Sequence, residues 1–162
     1  MTGMNLFVKK NVATLWASVP DPDQEYDAST NKPDMVKMLV SEGDLEPTPA
    51  VVACTYNATT GAFLVQWDMA CTKNGKSTDY AYVMAYREPV IDSQWQADGW
   101  MYGEAKLPTP PAIPIARGAS GGMEITIATG LTATDLIGYV FFRDQAGIIG
   151  FSPSVGRRAI SA

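Results

Sequence analysis

From Ala50 onward the apolar residues recur at every second position, in short runs cut by turn-forming residues, and this period of two constrains the fold more than any other feature of the chain. Phe63, Val65 and Trp67 alternate with Leu64, Gln66 and Asp68. Tyr80, Tyr82, Met84 and Tyr86 alternate with Ala81, Val83 and Ala85, and Met123, Ile125 and Ile127 with Glu124, Thr126 and Ala128. Successive side chains of a strand point to opposite faces, so each run reads as a strand half-buried against a core. The separators "NATTG", "TKNGKSTD", "LPTPPAIP", "GASGG" and "DQAG" contain no helical period that would build βαβ units. The pattern predicts a mainly β chain, an antiparallel β-sandwich of about seven strands, with Trp67 at the centre of its core. The proline-rich separator cannot donate ladder hydrogen bonds and belongs at an edge or in a crossing between sheets.

The first 49 residues follow a different rule. Met4, Val8, Val12, Leu15, Trp16 and Val19 have the spacing of one helical face, with Thr2 or Asn5 to cap it and Pro20 to stop it, which predicts an N-terminal amphipathic helix. "PDPDQEYDASTNKPD" has no apolar period and reads as a loop or extended arm, and "MVKMLVSEGDL" as a short strand ending in a turn at Ser41, Glu42, Gly43 and Asp44. The expected organisation is one main domain over residues 50–162, preceded by a helix, acidic loop and short strand over residues 1–49.

Composition then removes chemistry. The 162 residues include no histidine, which excludes Ser-His-Asp, Cys-His and histidine–metal sites together. Cys54 and Cys71 lack the spacing of zinc or redox motifs, and a hairpin that pairs Tyr56 with Gly61 puts Cys54 opposite Phe63 and far from Cys71, so two buried thiols are expected. The alternating acids Asp21, Asp23, Glu25 and Asp27 fail the calcium-loop pattern, with Tyr26 at its glycine position and Lys32 at its glutamate position; no metal is expected. "RGASGG" from Arg117 lacks the lysine and following helix of a phosphate loop and reads as a flexible connection. Asp68, Asp79, Asp92, Asp98, Glu104 and Glu124 are scattered, with no two singled out as an acid–base pair. The chain is therefore expected to be no enzyme and to carry no cofactor. Its net charge of −5, without a cationic cluster, argues against nucleic acid. No apolar run approaches the ~20 residues of a membrane span, and the positive charge of "MTGMNLFVKK" follows its apolar residues, the reverse of a secretory signal. No membrane partner is expected, and Asn57-Ala58-Thr59 reads as turn residues.

What remains is surface. In "GYVFFRDQAGIIGFSPS", Ile137, Tyr139 and Phe141 alternate with Gly138, Val140 and Phe142, so both faces of one strand are apolar. A strand buried on one side only does not need that. The expectation is that Val140 and Phe142 meet either the helix stripe of Val8, Val12, Leu15 and Trp16 or another subunit. Trp95 and Trp100, which flank "QADG", are further candidates, for stacking on a sugar or a protein partner when exposed and for core packing when not.

Two resemblances bear on this reading. "ITIATGLTATDLIGYVFFRDQAGIIGFSPS" resembles the end of a fibronectin type III domain, with Gly130-Leu131, Tyr139, Gly147, Ser152 and Ser154 in the characteristic roles, although the leucine-to-tyrosine spacing is about two residues longer than a tyrosine corner takes. The order "MNLFVKKNV", "MVKMLVSEGDL", "FLVQWD", "STDYAYVMAY", "PIARGASGGMEITI" and "IGYVFFRDQAGIIGFSPSVG" is similar to the C-terminal two-thirds of an uncharacterised family of Bacteroidota and their phages. Glu42 stands where that family usually has arginine, and the family's glycine-rich N-terminal portion has no counterpart. Together the resemblances imply an immunoglobulin- or fibronectin-like fold and a phage or host context, and no catalytic residues. The expected function is that of a structural or interaction protein of the virion, capsid-decorating or tail-associated, with virion proteins or its own copies as partners and a homo-oligomer as one form. The alternative is a carbohydrate-binding or adhesion module using Trp95 and Trp100.

Overall fold

The computed structural model describes residues 35–88, 100–101, 115–119 and 121–162. The expected N-terminal helix, the acidic run of Asp21 to Asp27, the proline-rich segment and Trp95 lie outside the described residues. Among those described, the chain is mainly β, with two short 3-10 turns at Met35–Lys37 and Ala133–Asp135 as its only helical elements. No helix among them is long and apolar enough to cross a membrane.

Eight strands are described: β1 (Val51–Tyr56), β2 (Ala62–Trp67), β3 (Tyr80–Arg87), β4 (Trp100–Met101), β5 (Gly122–Thr126), β6 (Leu136–Arg143), β7 (Val155–Arg158) and β8 (Ile160–Ser161). They form two four-stranded sheets, ordered β5-β2-β1-β8 and β4-β3-β6-β7. All pairs are antiparallel except β1 with β8, which run parallel through Thr55↔Ile160 and Tyr56↔Ser161. The alternation that predicts the strands also sorts their faces. Cys54, Phe63, Val65, Trp67, Met123 and Ile125 of the first sheet share one core with Ala81, Val83, Ala85, Leu136, Val140 and Phe142 of the second. Trp67 is buried in it, its ring edge-on to Phe142 at 5.7 Å between centroids.

The structure corrects four sequence expectations. Val140 and Phe142, expected on the outer face of β6, point into the shared core, because Gly138, Val140 and Phe142 lie opposite Ala85, Val83 and Ala81, the inward set of β3. Ile137 and Tyr139 form the outer face instead, in a second cluster with Met35 and Tyr86. That cluster explains the second correction: "MVKMLV" is not a strand but a 3-10 turn followed by a strap laid across the second sheet, where Val36, Met38 and Val40 pack on it. Individual bonds rather than a ladder hold the strap, the backbone bond from Ser154 N to Ser41 O at 3.1 Å among them. The Tyr139 hydroxyl donates to Met35 O, Ser154 Oγ accepts from Val40 N at 2.9 Å, and Ser41 Oγ donates to Ser152 O at 2.8 Å. Tyr139 is therefore tied to the strap and makes no tyrosine corner; Tyr56 Oη binds the 128–131 segment, donating to Ala128 O and accepting from Leu131 N.

Third, the first hairpin pairs Tyr56 with Phe63 and Cys54 with Val65, not Tyr56 with Gly61. Asn57 Oδ1 accepts from Thr59 N and Thr60 N, which closes a tight turn before Ala62 re-enters the ladder. Both cysteines are free; Cys54 is buried but Cys71 only half-buried. Fourth, Arg117, expected in a flexible loop, is a fully buried side chain of the fold.

Candidate functional site

At one end of the molecule two loops stand side by side, residues 70–79 before β3 and residues 144–150 after β6. Between them lies a cavity of about 290 Å³ whose walls include Lys76, Thr78, Gln145, Ala146, Ile148 and Ile149.

The first loop is fixed from beneath. Arg117 donates through Nη1 to Glu46 O at 2.6 Å and through Nη2 to Pro47 O at 2.9 Å, and its guanidinium stacks 4.2 Å over the Phe142 ring. Its own carbonyl accepts from Trp67 Nε1 at 2.9 Å, and Asp79 Oδ2 lies 3.8 Å from Nη1. A planar guanidinium reaches the two carbonyls with a fixed fork while its face lies on the ring, a geometry that a lysine ammonium does not reproduce. With Glu46 thus placed, its carboxylate collects Thr72 N at 2.7 Å, Lys73 N at 2.9 Å, Gly75 N at 3.0 Å and the Thr72 hydroxyl at 3.1 Å. The N–H groups of Thr72 and Lys73 above all hold its pKa down, from 4.5 to about 2. Asn74 adds a clamp, accepting from Glu46 N and donating to Asp44 O.

The second loop is fixed from within. Gly147 N donates to Asp144 O at 3.0 Å and Gly147 has φ +69°, the conformation that ends such a turn. Asp144, nearly buried, accepts from Gly150 N at 2.7 Å and Ile148 N at 2.8 Å. Burial pushes its carboxyl up, but the N–H groups of Gly150, Ile148 and Ile149 with the Arg143 charge outweigh this, and the net direction is below the usual carboxylate range. Gly150, at φ +94°, lets the chain turn back toward Phe151.

The outcome is an apolar apex on a rigid mount. Ile148 is 86% exposed, Ile149 37% and Phe151 42%. Phe151 adjoins Phe141 and Tyr82, whose rings stack at 5.2 Å, and Arg143 lies 5.8 Å from its ring centroid. Asp79 and Asp144, the carboxylates beside the cavity, are engaged by backbone N–H groups and shape the loops. Among the described residues no group of three or more Cys, Asp or Glu has the arrangement to hold a metal ion.

Of the residues singled out in the sequence, Val8, Val12, Leu15, Trp16 and Trp95 lie outside the described residues, and Trp100 sits in β4 opposite Tyr86. Val140 and Phe142 belong to the core. The apex was missed. Its one sequence signal is two adjacent isoleucines between Gly147 and Gly150, in a turn where polar residues are usual. A scan against protein-family models matches no family, and searches among curated proteins and solved structures find no match.

Proposed function

We propose that this chain is a non-catalytic structural and interaction protein, a virion component of capsid-decorating or tail-associated type, built on an immunoglobulin- or fibronectin-like β-sandwich. The strand orders β5-β2-β1 and β3-β6-β7 support that fold, since they correspond to the E-B-A and C-F-G orders of such domains. The phage context rests on the resemblance of the segment order from "MNLFVKKNV" to "IGYVFFRDQAGIIGFSPSVG". The observation that carries the interaction reading is the apex: a buried carboxylate and two glycines at positive φ hold Ile148 and Ile149 outward. Apolar side chains presented on a preorganised backbone lose little freedom on binding and are suited to anchor a protein contact.

The test is mass spectrometry of purified particles from a host carrying the gene, with the native chain and with Ile148→Asp. The native chain is expected in the particles and the variant depleted from them. Absence of the native chain overturns the virion assignment; glycan-array binding that survives Ile148→Asp favours the carbohydrate reading instead.

A further inference from the structure

We infer that Asn74-Gly75 is a masked modification site, an asparagine–glycine pair whose conversion to aspartate and isoaspartate is held off by Glu46 for as long as the 70–79 loop stays closed.

Asn74 is the chain's one asparagine followed by glycine, and it is exposed to water. With no Cβ on the next residue, a backbone nitrogen can approach the asparagine Cγ closely. In the conversion the Gly75 N–H gives up its proton, its nitrogen bonds to Asn74 Cγ, and the Cγ–Nδ2 bond breaks. Nδ2 leaves as ammonia, carrying a proton in place of the one lost from Gly75. Water then opens the five-membered imide at either carbonyl, leaving aspartate or isoaspartate. Water is the only reagent consumed, and nothing is oxidised or reduced.

In the closed loop every group that would react is engaged elsewhere. Asn74 Oδ1 accepts from Glu46 N at 2.8 Å and Nδ2 donates to Asp44 O at 2.9 Å, so both ends of the amide are pinned to the 44–46 backbone. The Gly75 N–H donates to Glu46 Oε2 at 3.0 Å. That acceptor is a poor base, because the N–H groups of Thr72 and Lys73 hold its pKa down to about 2. It binds the proton's group without removing the proton. Asp44 O is a carbonyl and has no proton to give the departing nitrogen. The glycine cannot simply be replaced by a residue that makes the pair less labile. A Cβ at position 75 would stand 2.8 Å from Arg117 Nη1 and 2.9 Å from Glu46 Oε2, so glycine is what lets the loop close over the buried guanidinium.

After conversion the loop cannot close as before. An aspartate has no N–H for Asp44 O and brings a second carboxylate toward Glu46, and isoaspartate lengthens the main chain inside the clamp. Since Asn74 belongs to the cavity wall, one opening leaves a lasting mark on this end of the molecule.

Each hydrogen bond is worth about a fivefold in equilibrium, so three that open together should make conversion in the folded chain about a hundredfold slower than in the same chain unfolded by urea. Both samples are held in mildly alkaline buffer, and peptide mass spectrometry of timed aliquots resolves asparagine, aspartate and isoaspartate at position 74. Glu46→Gln, which removes one of the two accepting oxygens, is expected to speed conversion in the folded chain about fivefold with circular dichroism unchanged. A folded native chain that converts as fast as the unfolded one overturns the masking. A folded Glu46→Gln chain no faster than the native one overturns the role of Glu46, and a slower one shows Glu46 acting as a base, which overturns it equally. Where Glu46→Gln does not fold, the native chain with and without urea decides alone.

Discussion

A guanidinium with no solvent exposure, as at Arg117, has to find its hydrogen bonds within the fold. It finds them on Glu46 O and Pro47 O, with Asp79 as counter-charge, while Arg117 Nε and Asp79 Oδ1 have no hydrogen-bond partner among the described residues. Removing one member of a buried pair leaves the other charged and uncompensated. Arg117→Met is therefore expected to lower the unfolding free energy by about 3–5 kcal/mol in urea titration. Glu46 gives a prediction in pH. Its folded-state pKa is depressed from 4.5 to about 2, so its contribution to stability is complete above pH 4.5 and is lost as pH falls from there toward 2. Thermal melts across that window should show stability falling with pH. In Glu46→Gln the fall should be shallower, from a lower neutral-pH starting value, because the amide cannot titrate and its NH₂ group faces a backbone donor.

At the scale of elements, Trp67 closes β2 and joins the sheets, its ring against Phe142 and its Nε1 on Arg117 O. Trp67→Ala is expected to cost about 3–5 kcal/mol in urea titration, as buried aromatic truncations do. The strap depends on a close approach at Gly156, where a Cβ would stand 2.5 Å from Val36 O and 2.8 Å from the Tyr139 ring. Gly156→Val should lift it, seen as faster hydrogen exchange at the Val40 amide with β3 still protected. These two elements also mark what the sequence made legible. β2, β3 and β5 could be read because a strand with one buried face must alternate, and the same rule put Trp67 inside. The strap could not, because its apolar residues cover a sheet without pairing in it, and the bonds that hold it come from Tyr139, Ser152 and Ser154, more than a hundred residues away. Nor could Arg117, since nothing in "RGASGG" separates an arginine that anchors a core from one that lies in water. The outward direction of Ile148 depends on the Asp144 cage, which is geometry and not composition.

Over the whole molecule the last residues complete a sheet begun by β1. Ala159 is buried in the core and donates to Leu136 O at 2.9 Å, and Ala162 N donates to Tyr56 O at 3.0 Å. Deleting residues 159–162 is expected to cost about 2–4 kcal/mol in urea titration, at roughly 1 kcal/mol for each hydrogen bond lost plus the uncovered core. The parallel pairing of Thr55 with Ile160 has a further consequence in the order of synthesis. β1 leaves the ribosome long before its neighbour β8 exists, so the Thr55 and Tyr56 edge stays open while the intervening chain is translated. Stalled nascent chains that end at Arg158 should remain sensitive to protease and prone to stick to one another through that edge, whereas chains in which Ala162 has cleared the exit tunnel should become resistant in a single step.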